Sequence, residues 1–457
     1  MDRRFSVRKA ELLAECEVSP QVFRGMVGRL VTFLEPFVEL MVRPEQRQHA
    51  LTCVRGLLSD LKRKNVESMA YRDDQDRGKL QHFVGVAEWD YRPLQQALAR
   101  QVGREFGQAD GVIVFDPSAF PKKGKQSVGV ARQWCGRLGK IDNCQVGVYM
   151  GYVSREEHAL LDMRLYLPKE WTSDRARCKR AGVPRSVRFQ TRHEQALEML
   201  ESNGKHLPHQ WVAGDDEFGR SAGFRRDLHE QRETYLLAVP SNITIRDLSA
   251  ELPPYQGRGA VPKRSFEQVG HWCVARDESE WTRVFVRDGE KGPLEVELLT
   301  CRVEAKLNRR RMPYEETLVV IRYVDDEGTT KIDDYLSNAP TDTPLREFAR
   351  VSKAAHRVEE CIKRCKNEAG LADYEVRNWK GWHHHQILSF LACWFLITES
   401  RRGKKNDAGH HGSPDSRRAF NAATRSASLR HPNTDRTRQN PSSQTKRTCT
   451  LLSPQNT

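Results

Sequence analysis

Val112-Ile113-Val114-Phe115-Asp116-Pro117-Ser118 is the stretch whose reading decides the fold. Four consecutive apolar residues, β-branched or aromatic, predict a short strand buried on both faces. An acid follows at once, and the proline after it is expected to end the strand. A carboxylate in that position stands at the rim of a core sheet, rigidly held and open to solvent. Two further acids can be set beside it: Asp215, after the shorter apolar run Trp211-Val212-Ala213, and Glu359, on a long helical segment. Converging carboxylates on rigid elements are what hard, oxygen-loving divalent cations require. The pattern points to a two-metal phosphoryl-transfer site.

The 457-residue chain is long for one core, so two or three domains are expected. It carries 75 Lys and Arg against 61 Asp and Glu, a net charge of +14. A pI near 9.3 favours a polyanionic partner, and with the acids above that partner reads as DNA. The hydrophobic fraction of 38% is enough for a core. No apolar run follows Met1-Asp2-Arg3-Arg4, so no signal peptide is expected. The longest apolar stretch, residues 387–397, is too short to span a bilayer. The expected location is the cytoplasm. Eleven cysteines without a C-x-x-C pair suit a reducing compartment. Cys361 and Cys365 lie one helical turn apart and could share a metal, but idle buried thiols are the expected reading.

Residues 1–105 read as a helical DNA-binding or assembly domain, with Val22, Met26, Leu30 and Phe33-Leu34 at helical spacing. A second helix covers residues 49–61. The basic Lys62-Arg63-Lys64-Asn65 after it is a solvated helix end or a phosphate-contacting surface. Residues 106–240 read as the first part of an α/β core. They hold a hairpin of residues 146–153 and 160–167, helices at 190–201 and 225–231, and a strand at 235–239. Gly124, Gly129, Gly136 and Gly139 form no P-loop, because no G-K-[ST] opens a helix, so no nucleotide cofactor is expected. Residues 241–340 carry β-rich runs at 272–275, 281–286, 294–301 and 317–323, read as an insertion rather than a continuation of the core sheet. Residues 341–400 complete the core. Thr343-Pro344 opens a helix that carries Glu359 and Lys366 and stops at Gly370, and an apolar helix at 387–397 packs beneath. Residues 401–457 lose all periodicity and are expected to be a disordered basic tail, with a frameshifted end of a once longer domain as a hypothesis for its origin.

Taken together, these strings resemble a bacterial insertion-sequence DDE transposase of the cut-and-paste group. They are Gly56-Leu57-Leu58-Ser59 with Arg63-Lys64-Asn65, Asp116 with Pro121-Lys122-Lys123-Gly124, and Gly139-Lys140-Ile141-Asp142-Asn143-Cys144-Gln145. Further on stand Asp215 with Phe218-Gly219, Tyr335-Leu336-Ser337-Asn338-Ala339-Pro340, and Gly370-Leu371 with Tyr374-Glu375-Val376-Arg377. The resemblance implies an α/β fold: a ribonuclease-H-like mixed sheet with flanking helices, a helical N-terminal domain and a β-rich insertion. The family's third acid lies in a Tyr-x2-Arg-x3-Glu-x6-Lys helix motif. Glu359 and Lys366 fit its second half, whereas Ser352 and Ala355 occupy the Tyr and Arg positions.

By this resemblance Asp116, Asp215 and Glu359 bind two Mg²⁺ or Mn²⁺ ions, and Lys366 contacts a phosphate near the cleaved end. DNA is the implied partner, as terminal inverted repeats and as target, with a homodimer holding two ends. Asp216 is a rival to Asp215, which its distance from Phe218-Gly219 favours, and Glu375 is a rival third ligand. Glu360 points off the site if Glu359 points in. Lys122, Lys123 and Lys125 are candidates for DNA phosphates, as are Arg63 and Lys64. Trp281 could stack an unpaired base, though core packing of a small sheet is the expected role. His383-His384-His385 face different ways on a helix, so packing or DNA contact is expected there rather than zinc. The alternatives are a metal-dependent nuclease without strand transfer, and an inactive DNA-binding relic.

Overall fold

The computed structural model describes residues 25–407 except 253, 256, 259–261, 290–291, 308–309, 312–313 and 325–327. The helical pattern that begins at Val22 and the tail beyond residue 407 therefore reach outside the described residues.

Strand β1 (Val112–Pro121) is central. Its first four residues are fully buried, as their apolar run requires. The strand does not stop at Pro117 but continues through it. Parallel pairing with β5 (Trp211–Gly214) ends at Phe115, so Pro117 lies where only β3 is still paired and a missing N–H is tolerated. On the other side β1 pairs antiparallel with β3 (Lys140–Val153), along which β2 (Ala131–Cys135) and β4 (His158–Leu165) lie. Beyond β5 comes β6 (Tyr235–Val239), also parallel. The order β4-β3-β1-β5-β6, with the first three antiparallel and the last two parallel, is the ribonuclease-H arrangement.

The insertion departs from its sequence reading. Strand β13 (Thr330–Ser337) pairs antiparallel with β6, and β12 (Glu316–Val324) and β10 (Gly292–Leu307) follow, so the core sheet simply continues. Strands β7 (Thr244–Asp247), β8 (Glu267–Gln268), β9 (Thr282–Gly289) and β11 (Arg310–Arg311) complete it. Alternate residues of β12 serve different cores: Val319 and Ile321 join the main one, Leu318 and Val320 a second. That double burial is why the run is apolar without alternation. The expected strand at 272–275 is instead the end of a helix, Val269–Val274, whose Trp272 and Cys273 face the second core.

Among the described residues, five helices stand before β1: α1 (Met26–Val38), α2 (Pro44–Leu57), α3 (Val66–Arg72), α4 (Arg77–Gly85) and α5 (Arg92–Phe106). They do not form a separate unit, because their apolar faces belong to the same cluster as the sheet. The joint is the last helix (Trp379–Asp407), buried on all sides through Ile397 and longer than its apolar core suggests. It runs seven residues into the segment expected to be disordered. Its three histidines hold this joint. His384 sits between the carbonyl oxygens of Val84 and Trp89 (3.0 and 2.9 Å) with its ring stacked on Trp89. His385 reaches the Gly370 carbonyl, and His383 stacks on Tyr91. Burial pushes their pKa values down to about 3 for His383 and about 4 for the other two. They are packing residues.

Between β5 and β6 the short helix Asp216–Gly219 presses against the sheet. Phe218 packs on Phe115 and Phe224, and a side chain at Gly219 would collide with the Ala238 carbonyl of β6. Gly219→Ala should therefore cost ~2 kcal/mol by overpacking, read as a lower denaturation midpoint with an unchanged slope.

Candidate active site

The alternation of β1 determines what meets what. Phe115 faces Phe218 and Phe224 on one side of the sheet. Asp116 therefore points to the other side, together with Ser118. There lies the long amphipathic helix Leu345–Glu368, crossing β1, β3, β4 and β5. It seats closely: a side chain at Gly151 of β3 would strike Val358, the neighbour of Glu359. The helix opens after Pro344, without the side-chain cap expected from Thr343, and Gly370 ends it with φ of 64°.

Asp116 and Asp215 leave adjacent parallel strands at the same level, since Phe115 pairs with Gly214 immediately before them. Asp215 caps the helix Asp216–Gly219, accepting the Glu217 N–H at 3.1 Å. Among the described residues no hydrogen-bond donor serves the half-buried Asp116 carboxylate. The contrast is Asp162, a fully buried acid satisfied by Gln95, Asn203 and Arg164. Burial, then the charges of Asp215 and Glu359, push Asp116 up to about 8, with Lys366 opposing. Burial, then Glu217 and Asp216, push Asp215 up to about 7. Two carboxylates that resist ionising side by side are a charge-starved site.

Glu359 is placed differently. It lies on the helix face that carries Lys366, but its side chain is 76% exposed and 3.9 Å from His356. Among the described residues the three acids do not gather within 4.8 Å. Glu360 also turns to His356, at 3.4 Å. Asp216 pairs with Arg220 at 2.7 Å and faces solvent, so Asp215 is the acid directed at Asp116. Glu375, the rival third ligand, accepts a hydrogen bond from Asn65 at 2.8 Å.

The basic residues separate in the same way. Lys366 donates to the Ser118 hydroxyl at 2.7 Å and lies over Phe120, directly beside the acids. Lys122 lies 3.7 Å over the Tyr374 ring, and burial pushes its pKa down to about 8. Lys123, Lys125 and Arg63 are exposed. Lys64 is corrected from a DNA contact to a structural cation. It is buried, with its ammonium on the Glu368 carbonyl at 2.5 Å and its backbone N–H on Asp373. Trp281 is partly buried against the second core with Arg322 over its ring, in the packing role expected of it.

Two participants escaped the sequence reading. Glu217 adds its charge to both aspartates while held by Arg192 at 2.6 Å, and the run Asp215-Asp216-Glu217 was its only signal. Ser118 orients Lys366, and alternation from Asp116 would have found it. The distant strings also prove to be one junction. Asn143 donates to the Lys122 carbonyl at 2.5 Å, Gln145 to the Val128 carbonyl at 2.6 Å, and Tyr374 to Gln145 at 3.0 Å.

The chain is similar to several known proteins. A family model described as DDE superfamily endonuclease matches residues 36–293, which include Asp116 and Asp215 but not Glu359. A probable transposase for insertion sequence element IS701 of Microchaete diplosiphon is 25% identical over 345 residues, 74% of this chain and 79% of that protein. Among solved structures, a piggyBac transposase synaptic complex with hairpin DNA aligns over 89% of this chain and 80% of that one. Its TM-score is 0.39 and the identity 10%.

Proposed function

Because this chain belongs to the DDE superfamily endonucleases, we propose that it is an insertion-sequence transposase. It would cut the terminal inverted repeats of its element and join the freed 3′ ends to target DNA. The observation that supports this reading best is the pair Asp116 and Asp215, desolvated and level at the ends of neighbouring parallel strands, with Asp116 served by no donor among the described residues. Their oxygen donors and mutual repulsion fit hard divalent cations. Two Mg²⁺ or Mn²⁺ ions bound there would supply the Lewis acidity that activates the attacking oxygen and steadies the leaving one.

The chain's own part is positional. Asp116 and Asp215 hold their carboxylates on the sheet, where neither can swing away. Glu359 is the third acid and turns inward from its exposed rotamer when the substrate arrives. Lys366, aimed by Ser118, sets a positive charge against a phosphate oxygen at the scissile end. Lys123, Lys125 and Arg63 supply exposed charge for the DNA backbone. Two copies of the chain pair two ends.

Incubating the protein with a DNA fragment bearing its element's ends, with and without Mg²⁺, tests the reading. Metal-dependent nicking at the ends followed by joining to a plasmid is expected. Cutting without joining would leave a nuclease, and end binding without cutting would leave a relic. The cations separate on a second measurement. Lys64→Ala should lower the melting temperature by several degrees without altering the salt dependence of DNA binding. Lys123→Ala with Lys125→Ala should flatten that salt dependence by about one to two charges and leave melting unchanged.

A further inference from the structure

Cys361 and Cys365, one turn apart on the helix Leu345–Glu368, meet a third thiol that chain spacing could not reveal: Cys393 of the last helix. The three sulfur atoms lie within 4.8 Å of one another, and all three residues are buried. Thiolates around zinc at about 2.3 Å stand about 3.8 Å apart, so the cluster needs only a small contraction to accept an ion. Two surroundings favour a metal over three idle thiols. The Leu160 backbone and the Arg364 guanidinium both interact with Cys361, and Arg364 also interacts with Cys393. Zinc with three thiolates carries one net negative charge, which such a cation offsets.

The second observation lies on β4. His158 stands two residues before Leu160, on the same side of the strand. Its Nδ1 is buried with no hydrogen-bond partner, and its ring interacts electrostatically with Cys393. It lies outside the 4.8 Å group, so a ring rotation is needed to bring that nitrogen in. We propose that Cys361, Cys365, Cys393 and His158 form a structural zinc site that fastens the helix carrying Glu359 and Lys366 to the last helix and to β4. Sulfur and imidazole donors make it a soft site, distinct in chemistry from the carboxylate site.

The test is metal analysis of the full chain, purified with reductant from zinc-supplemented cells. About one zinc per chain is expected, falling to below about a tenth in Cys393→Ser. Should that variant fail to fold, Co²⁺ titration of the metal-stripped wild-type chain decides instead. A thiolate-to-cobalt charge-transfer band with the intense visible bands of four-coordination is expected, and His158→Ala should weaken those visible bands several-fold. Zinc-free protein that gives no charge-transfer band overturns the site. A cobalt spectrum unchanged by His158→Ala overturns the four-ligand assignment. Neither readout depends on DNA cleavage, so the outcome stands apart from that of the proposed function.

Discussion

Asp116→Asn is expected to abolish DNA cleavage, by about a thousandfold or more, and yet to make the metal-free protein more stable. The first effect is the loss of a ligand from the charge-starved pair, and a barrier rise of about 4 kcal/mol already corresponds to that factor. The second follows from the raised pKa. Asp116 sits at about 8 in the fold against an ordinary value near 3.8. A group whose folded pKa is raised contributes stability that is full below the unfolded value and disappears as pH climbs through the folded one. Metal-free wild type should therefore lose stability between about pH 4 and pH 8. Each unit corresponds to about 1.36 kcal/mol, and solvent at the open side of the residue reduces the total to the order of 2 kcal/mol. The asparagine variant should lack the part of the slope that Asp116 contributes and keep that of Asp215, and saturating Mg²⁺ should remove both from wild type. Thermal melts at pH 5, 7 and 9 in chelator and in Mg²⁺ check all of this. A variant that is less stable at pH 9 in chelator would show that Asp116 is held by donors rather than starved of charge.

The second large effect lies where the insertion meets the core. Arg225 and Glu316 are both fully buried and joined at 2.8 Å. The guanidinium also reaches the Gly219 carbonyl, and the Tyr235 hydroxyl donates to Glu316 at 2.6 Å. Removing one partner strands a buried charge, at a cost of about 3–5 kcal/mol. Glu316→Ala should thus come close to unfolding the junction, whereas Arg225→Met with Glu316→Leu should recover much of the loss. Urea denaturation of the two singles and the double measures the coupling. Additive effects would mean that the two side chains do not depend on each other.

How much of this was legible in the sequence depends on which physical signal each element carries. Val112–Phe115, the hairpin and β6 were readable because double burial and alternation write themselves into residue type. Strand β13 was not: Thr330, Lys331 and Ile332 of its first half are exposed, and the buried second half mixes the polar Asp334 and Ser337 with Tyr335 and Leu336, so no apolar run marks it. The run at Trp272 was misread because a short apolar stretch cannot by itself separate helix from strand. Periodicity showed that the N-terminal helices bury one face but not against what, so their fusion with the core through His383, His384 and His385 stayed hidden. At the site, the strand ends that set Asp116 level with Asp215 were legible from the apolar runs before them. The outward turn of Glu359 and the burial of Lys64 are rotamer and packing facts that no spacing encodes.

The most direct measurement is electron paramagnetic resonance of Mn²⁺ added to the full chain bound to an element end. It is made for wild type, Asp116→Asn, Asp215→Asn and Glu359→Gln. Two tightly held ions per active site are expected in wild type, with at least one lost in each variant. Full occupancy in Asp116→Asn or Asp215→Asn would contradict the account, because the carboxylate pair would then not be what holds the metal.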